Sequence, residues 1–244
     1  MGNAVAFLAV IVVNAIAGST KLLNGQNTAD VSAAYSTLVT PAGFTFSIWG
    51  VIYVLLFGFI LFQLLPRHRQ DSFNSQVGYL FILSSIFNIA WLFLWQYDYI
   101  VTSVPMILAL LASLIAIYLR LHVGRSQVSL GEKLSVRLPF SVYLGWITIA
   151  SIADAAAALV SLNWNGFGVS SIVWALLVIV VVLMITLTVL GTRRDVAYGL
   201  VVVWALVGIA AGQGGHPDVV VAAEGGAILA GIAVAVVALA NRLT

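Results

Sequence analysis

The chain has no cysteine and very little charge. Without cysteine it can form no disulfide and offer no thiolate nucleophile or metal ligand. Only 7% of its 244 residues are Asp, Glu, Lys or Arg, whereas 62% are hydrophobic, and mean hydropathy is +1.13. A soluble domain needs far more charge to cover its surface, so a globular water-soluble fold is excluded. Lysine is scarcer still. Only Lys21 and Lys133 occur, neither in the middle of an apolar run, so a buried retinal-type Schiff base has no donor. A Gly-rich turn at 211–218 lacks the Lys-Ser/Thr of a phosphate loop. His216 and Asp218 have no third ligand at metal-binding spacing, and His68 and His122 sit among loop arginines, so no metal site is expected. No nucleophile–base pair or metal set is recognisable, which leaves an intramembrane enzyme a weak third reading, ahead only of retinal-type photoreception.

What remains is a polytopic all-α membrane bundle. Eight apolar stretches can be drawn, at 3–21, 44–65, 77–97, 103–120, 137–160, 167–190, 196–212 and 219–241. Most approach the ~20 residues a helix needs to cross ~30 Å of hydrocarbon; the fourth and seventh are shortest. A membrane β-barrel would show shorter segments of alternating polarity. Nine of the ten basic residues, Arg67, Arg69, Arg120, Arg125, Lys133, Arg137, Arg193, Arg194 and Arg242, fall at alternate connections. By the positive-inside rule that face is cytoplasmic, with both termini on it, and the expected location is a bacterial inner membrane. These loops account for the net charge of +2 and the pI near 9.0, so no nucleic-acid partner is needed. Ala15-Ile16-Ala17 has the small-residue pattern of a signal-cleavage site, but no basic stretch precedes it, so a retained first helix is expected.

Two segments divide the chain. Residues 22–43 form a long polar connection after the first span, either a lid or a plain hairpin. After residue 163 the texture changes: 164–244 is rich in Val, Ala, Leu and Gly, whereas most tryptophans lie earlier. The expected organisation is a five-helix bundle over 1–163 plus three further helices over 164–244.

The chemistry clusters at the outer ends of the early spans. Trp49 and Tyr53 are spaced i, i+4, as are Trp91 and Trp95, so each pair shares a helix face. Two such faces meeting would wall a pocket for a flat ligand; the alternative is an interfacial aromatic belt. Asp154 and Glu224 each fall about six residues, roughly 9 Å, inside the outer boundary of their spans. A carboxyl at that depth is costly, and it marks either a ligand or proton site or a structural hydrogen bond. Lys21 is a candidate counter-ion for either.

Pro41-x-Gly43-x-x-Phe46-x-x-Trp49-x-x-x-Tyr53, then Asn88-x-x-Trp91, then Pro139 followed by Trp146-x-x-x-Ala150-x-x-x-Asp154, resemble in order and spacing the translocator protein/tryptophan-rich sensory protein (TspO/MBR) family. The resemblance covers about 160 residues. It implies a five-helix bundle whose first loop covers a pocket for porphyrins, haem-like tetrapyrroles, sterols or synthetic ligands. It also implies that Trp49, Tyr53, Asn88, Trp91, Trp146 and Ala150 line or support that pocket, to which Phe46, Trp95 and Asp154 are added here. Asp154 departs from the family pattern, which has Asn, and the last three spans have no counterpart in five-helix members. The expected function is a membrane sensor or translocator for a flat hydrophobic ligand such as a porphyrin, needing no cofactor, with a homodimer as candidate assembly. A proton-coupled transporter using Asp154 and Glu224 is the alternative.

Overall fold

In the computed structural model, which describes residues 1–243, the regular elements among those residues are all helical. The first long helix, α1 (Gly2–Ser19), is followed by the short α2 (Thr28–Ala34) within the polar connection. A 3-10 turn, Gly43–Ser47, leads into α3 (Ile48–Leu64). After α4 (Ser72–Val77) come α5 (Leu80–Gln96) and α6 (Ile100–Arg120). The short α7 (Leu130–Glu132) passes through a π turn, Lys133–Arg137, into α8 (Leu138–Ser161). The chain ends with α9 (Ser171–Arg193), α10 (Val196–Gly212) and α11 (Pro217–Leu243).

Six helical segments are long and apolar enough to cross a bilayer: Gly2–Ser19, Gly43–Leu64, Ile100–Arg120, Leu130–Ser161, Ser171–Arg193 and Pro217–Arg242. Two more, Leu80–Gln96 and Val196–Gly212, are apolar but only 17 residues long. Large side chains such as Leu8 and Val12 on α1, Val54 and Phe57 on α3 and Ile228 and Ile232 on α11 stay exposed. In water such apolar stripes would be untenable; in a bilayer they are the lipid-facing surface. The molecule is a multi-pass helical membrane protein.

Connections are short where helices lie side by side, and their chemistry sets the ends. Asp195 accepts from the amides of Ala197 and Tyr198 at 3.1 and 3.2 Å, capping α10. Arg194, in left-handed backbone at φ 52°, ends α9. The helix α8 is the axis of the molecule. It packs against α3 and α6 and also against α10, while α5 joins α1 to α6 and α10 carries α9 and α11. The last three helices therefore attach to the first five chiefly through α10.

The polar connection is no plain hairpin. Asn27 and Asp30 cap α2 reciprocally: Asn27 accepts from the Asp30 amide, and Asp30 accepts from the Asn27 amide, both at 3.0 Å. The start of the connection is clipped to the corner between α5 and α6. There Asn24 and Gln26 both donate to the Gln96 carbonyl at 3.0 Å and to Asp98 at 3.1 and 3.0 Å. Its end is clipped to α10. The Ala42 amide donates to the Gly208 carbonyl at 2.9 Å, and Gln213 donates to the carbonyls of Thr37 and Thr40 at 3.1 and 2.9 Å. Trp204 donates to the Thr45 carbonyl at 3.0 Å. Only a glycine fits at 208, since a Cβ there would sit 3.0 Å from Thr45 Cβ and collide with its hydroxyl.

Candidate functional site

Beneath this connection the indoles of Trp49, Trp91, Trp95 and Trp146 meet. Trp49 is the hub: it stacks on Tyr53 at 5.7 Å and on Trp91 at 6.1 Å between ring centroids, and meets Trp146 edge-on at 6.3 Å. Trp91 reaches Trp95 at 6.2 Å, and Phe46 meets Trp146 edge-on at 6.0 Å. Helical spacing explains the convergence. Residues i and i+4 on α3 and on α5 project from one face of each helix, and α8 brings Trp146 between them.

These rings wall a cavity of about 40 Å³, roofed by Thr28, Ser32, Tyr35, Thr40 and Pro41 and floored by Ala150 and Asp154 of α8. Asp154 is almost fully buried, at 2% exposure. One carboxyl oxygen accepts from the Trp91 indole N–H at 3.1 Å. Ser103 Oγ of α6 lies 3.0 and 3.1 Å from the two oxygens, but also 2.7 Å from the Ile100 carbonyl, so its single proton is shared. Among the described residues no cation pairs with Asp154. The indole N–H of Trp146, itself 2% exposed, is buried with no hydrogen-bond partner among them either.

The sequence candidates thus fall into three places. Phe46, Trp49, Trp91, Trp95, Trp146, Ala150 and Asp154 line the cavity. Tyr53 and Asn88 stand behind it. Asn88 accepts from Asn14 at 2.7 Å and donates to the Tyr143 hydroxyl at 3.1 Å, tying α1, α5 and α8 together, while Tyr53 backs Trp49. Glu224 stands exposed on α11, a helix packed on α9 and α10, and does not line the cavity. Lys21 pairs with Asp30 at 3.0 Å rather than with Asp154 or Glu224.

Sequence reasoning missed Ser103 and Tyr35. Ser103 is one of many hydroxyls in apolar helices, and nothing in its spacing links it to a carboxyl 51 positions away. Tyr35 lies in the polar connection, where loop geometry decides. A larger opening of about 650 Å³ lies on the other side of the same connection, between Ser36–Val39, the Trp164–Trp174 pair and Gln213. It contains no carboxyl, and its one ionisable lining group is His216.

Among the described residues no group of three or more His, Asp or Glu side chains could hold a metal ion. No curated protein and no solved structure matches the chain. A family model described as TSPO-like protein matches residues 1–237, and that range includes α9 and α10 and most of α11. The chain belongs to the TSPO-like protein family.

Proposed function

We propose that the chain is a membrane receptor or translocator for a flat, hydrophobic small molecule of the porphyrin class, held between Trp49, Trp91, Trp95 and Trp146 beneath the 22–43 connection. The observation that carries this reading is the convergence of four indoles on a buried carboxyl under a roof tied down at both ends. Flat aromatic walls give a planar ligand large contact area and favourable ring geometry. Small-molecule pockets run to roughly 300–1,000 Å³. A cavity of about 40 Å³ is a closed form, and ligand entry displaces the roof or the rings.

On this reading the chain crosses a bacterial inner membrane eight times, with both termini cytoplasmic. The 17-residue α5 and α10 reach about 25 Å, close to the hydrocarbon thickness, and lie between full-length neighbours. The pocket then opens near the outer face. The exposed position of Glu224 lends little to a proton relay from Asp154, so binding is favoured over proton-coupled transport.

Porphyrin titration followed by tryptophan fluorescence tests the proposal. Trp91→Ala should weaken the best porphyrin by roughly 1–3 kcal/mol through lost stacking area. Parent-like affinity in both Trp49→Ala and Trp91→Ala would place the ligand elsewhere.

A further inference from the structure

The chemistry of this cavity also selects by charge, an inference that rests on the pocket reading above. Its lining holds a carboxyl, Asp154, and no Lys, Arg or His. The 22–43 connection carries no basic residue, and Lys21 just before it is paired with Asp30. A buried carboxylate can accept about four hydrogen bonds. Asp154 has one full donor, the Trp91 indole, and a share of one hydroxyl, Ser103. Removal from water without a cation is costly for an ionised carboxyl, so Asp154 either holds a proton or draws a cation to it.

The walls have the complementary property. The faces of indole and phenol rings are negative, and a cation between them is attracted by the ring quadrupoles. Trp49, Trp91, Trp95 and Trp146 line the same cavity as the carboxyl, Trp91 bonds it directly, and Tyr35 is part of the roof. An aromatic box closed by a carboxylate suits an organic cation better than it suits a neutral or anionic molecule of the same shape. The buried, unpartnered indole N–H of Trp146 adds a donor for an acceptor atom on the ligand.

We infer that the pocket recognises flat heteroaromatic molecules bearing a protonated nitrogen, with the nitrogen at Asp154 and the ring system between the tryptophans. Asp154 is then the specificity-determining residue, and it disfavours any flat ligand pose that sets a carboxylate against it, so the peripheral carboxylates of a porphyrin would point away from Asp154.

Three tricycles of nearly equal shape test this on the full-length protein in neutral lipid nanodiscs, by tryptophan quenching: 9-aminoacridine as the cation, acridone as the neutral member and acridine-9-carboxylate as the anion. The cation should bind at least about tenfold more tightly than acridone, and the anion weakest. Asp154→Asn keeps size and hydrogen-bonding reach and removes the charge. It should cost the cation about tenfold and acridone clearly less, while an unchanged circular dichroism spectrum and melting temperature report that the protein remains folded. Equal affinity for the cation and acridone, or unchanged cation binding in Asp154→Asn, would overturn the inference while leaving a pocket for flat ligands in place. Tightest binding of the anion would do the same. Failure of all three tricycles and of every porphyrin would instead remove the pocket itself.

Discussion

The first five long helices and the last three differ in what passes between neighbouring helices. Between α1, α3, α5, α6 and α8, polar groups and rings cross from helix to helix: Asn14 to Asn88 to Tyr143, Trp91 to Asp154 to Ser103, and Trp49 against Trp91, Tyr143 and Trp146. In α9 the hydroxyls of Thr186, Thr188 and Thr192 bond back to their own helix. Contact around α10 and α11 rests on small residues instead: Gly226 lies against Leu183 and Leu206, and Gly199 against Leu190. Rings and polar pairs hold helices apart around a site; small residues let backbones close on one another. The first region is built to enclose something, and the second to brace. The brace grips the roof of the pocket chiefly through α10 and its C-terminal end, where Gly208, Trp204 and Gln213 hold the chain between Thr37 and Thr45.

The sharpest way to break this division is to put bulk where the brace needs none. Gly208→Val would drive a branched side chain into buried Thr45, and overpacking of this kind costs about 1–3 kcal/mol. Faster hydrogen exchange is expected across residues 37–45, with the α5–α6 corner unaffected. Unchanged exchange there would show that α10 merely lies beside the roof. A smaller effect is expected from Gln213→Ala, which deletes two hydrogen bonds worth about 0.5–1.5 kcal/mol each. It should loosen 37–40 alone, and porphyrin association and dissociation should both quicken, because a roof that gates entry also gates exit. Slower association would mean that the grip on the roof shapes the pocket rather than closing it.

The two regions were also unequally legible in the sequence. Helix existence was plain throughout, because long apolar runs have no other use; the 196–212 run coincides with Val196–Gly212. The aromatic wall was legible in two steps: i, i+4 spacing fixes a face on each helix, and the family resemblance implied that these faces meet. The brace was not. Gly208 reads as one small residue among many, and its partner Thr45 is 163 positions away, a juxtaposition that only tertiary packing creates. The roof was legible as a long polar connection but not as a capped helix, since Asn27 and Asp30 carry the signature without a hydrophobic run behind them. Asp154 and Glu224 looked alike by depth. Depth along a helix says nothing of rotation about its axis, and rotation buries one and exposes the other.

The smallest expected effect separates the two anchors at the start of the roof. The Asp30 carboxyl is held below its ordinary value of 3.8, first by the Asn27 amide and second by Lys21. A carboxyl depressed on folding contributes stability that is present above its unfolded value and lost as pH falls through its folded one. Exchange protection of α2, corrected for intrinsic rates, should therefore stay level from about pH 7 to about pH 5 and fall only on acidification below 3.8. Lys21→Gln should move that fall upward only part of the way, because the larger cause, the Asn27 amide at 3.0 Å, survives. It should also respond weakly to salt, whereas the parent should lose part of its acid resistance at high ionic strength, since the Lys21–Asp30 pair is exposed and screened. If Lys21→Gln erased the acid resistance altogether, the ion pair and not the helix cap would order the roof. The start of the roof would then be a salt-sensitive surface contact, and α10 would carry the main hold on the pocket.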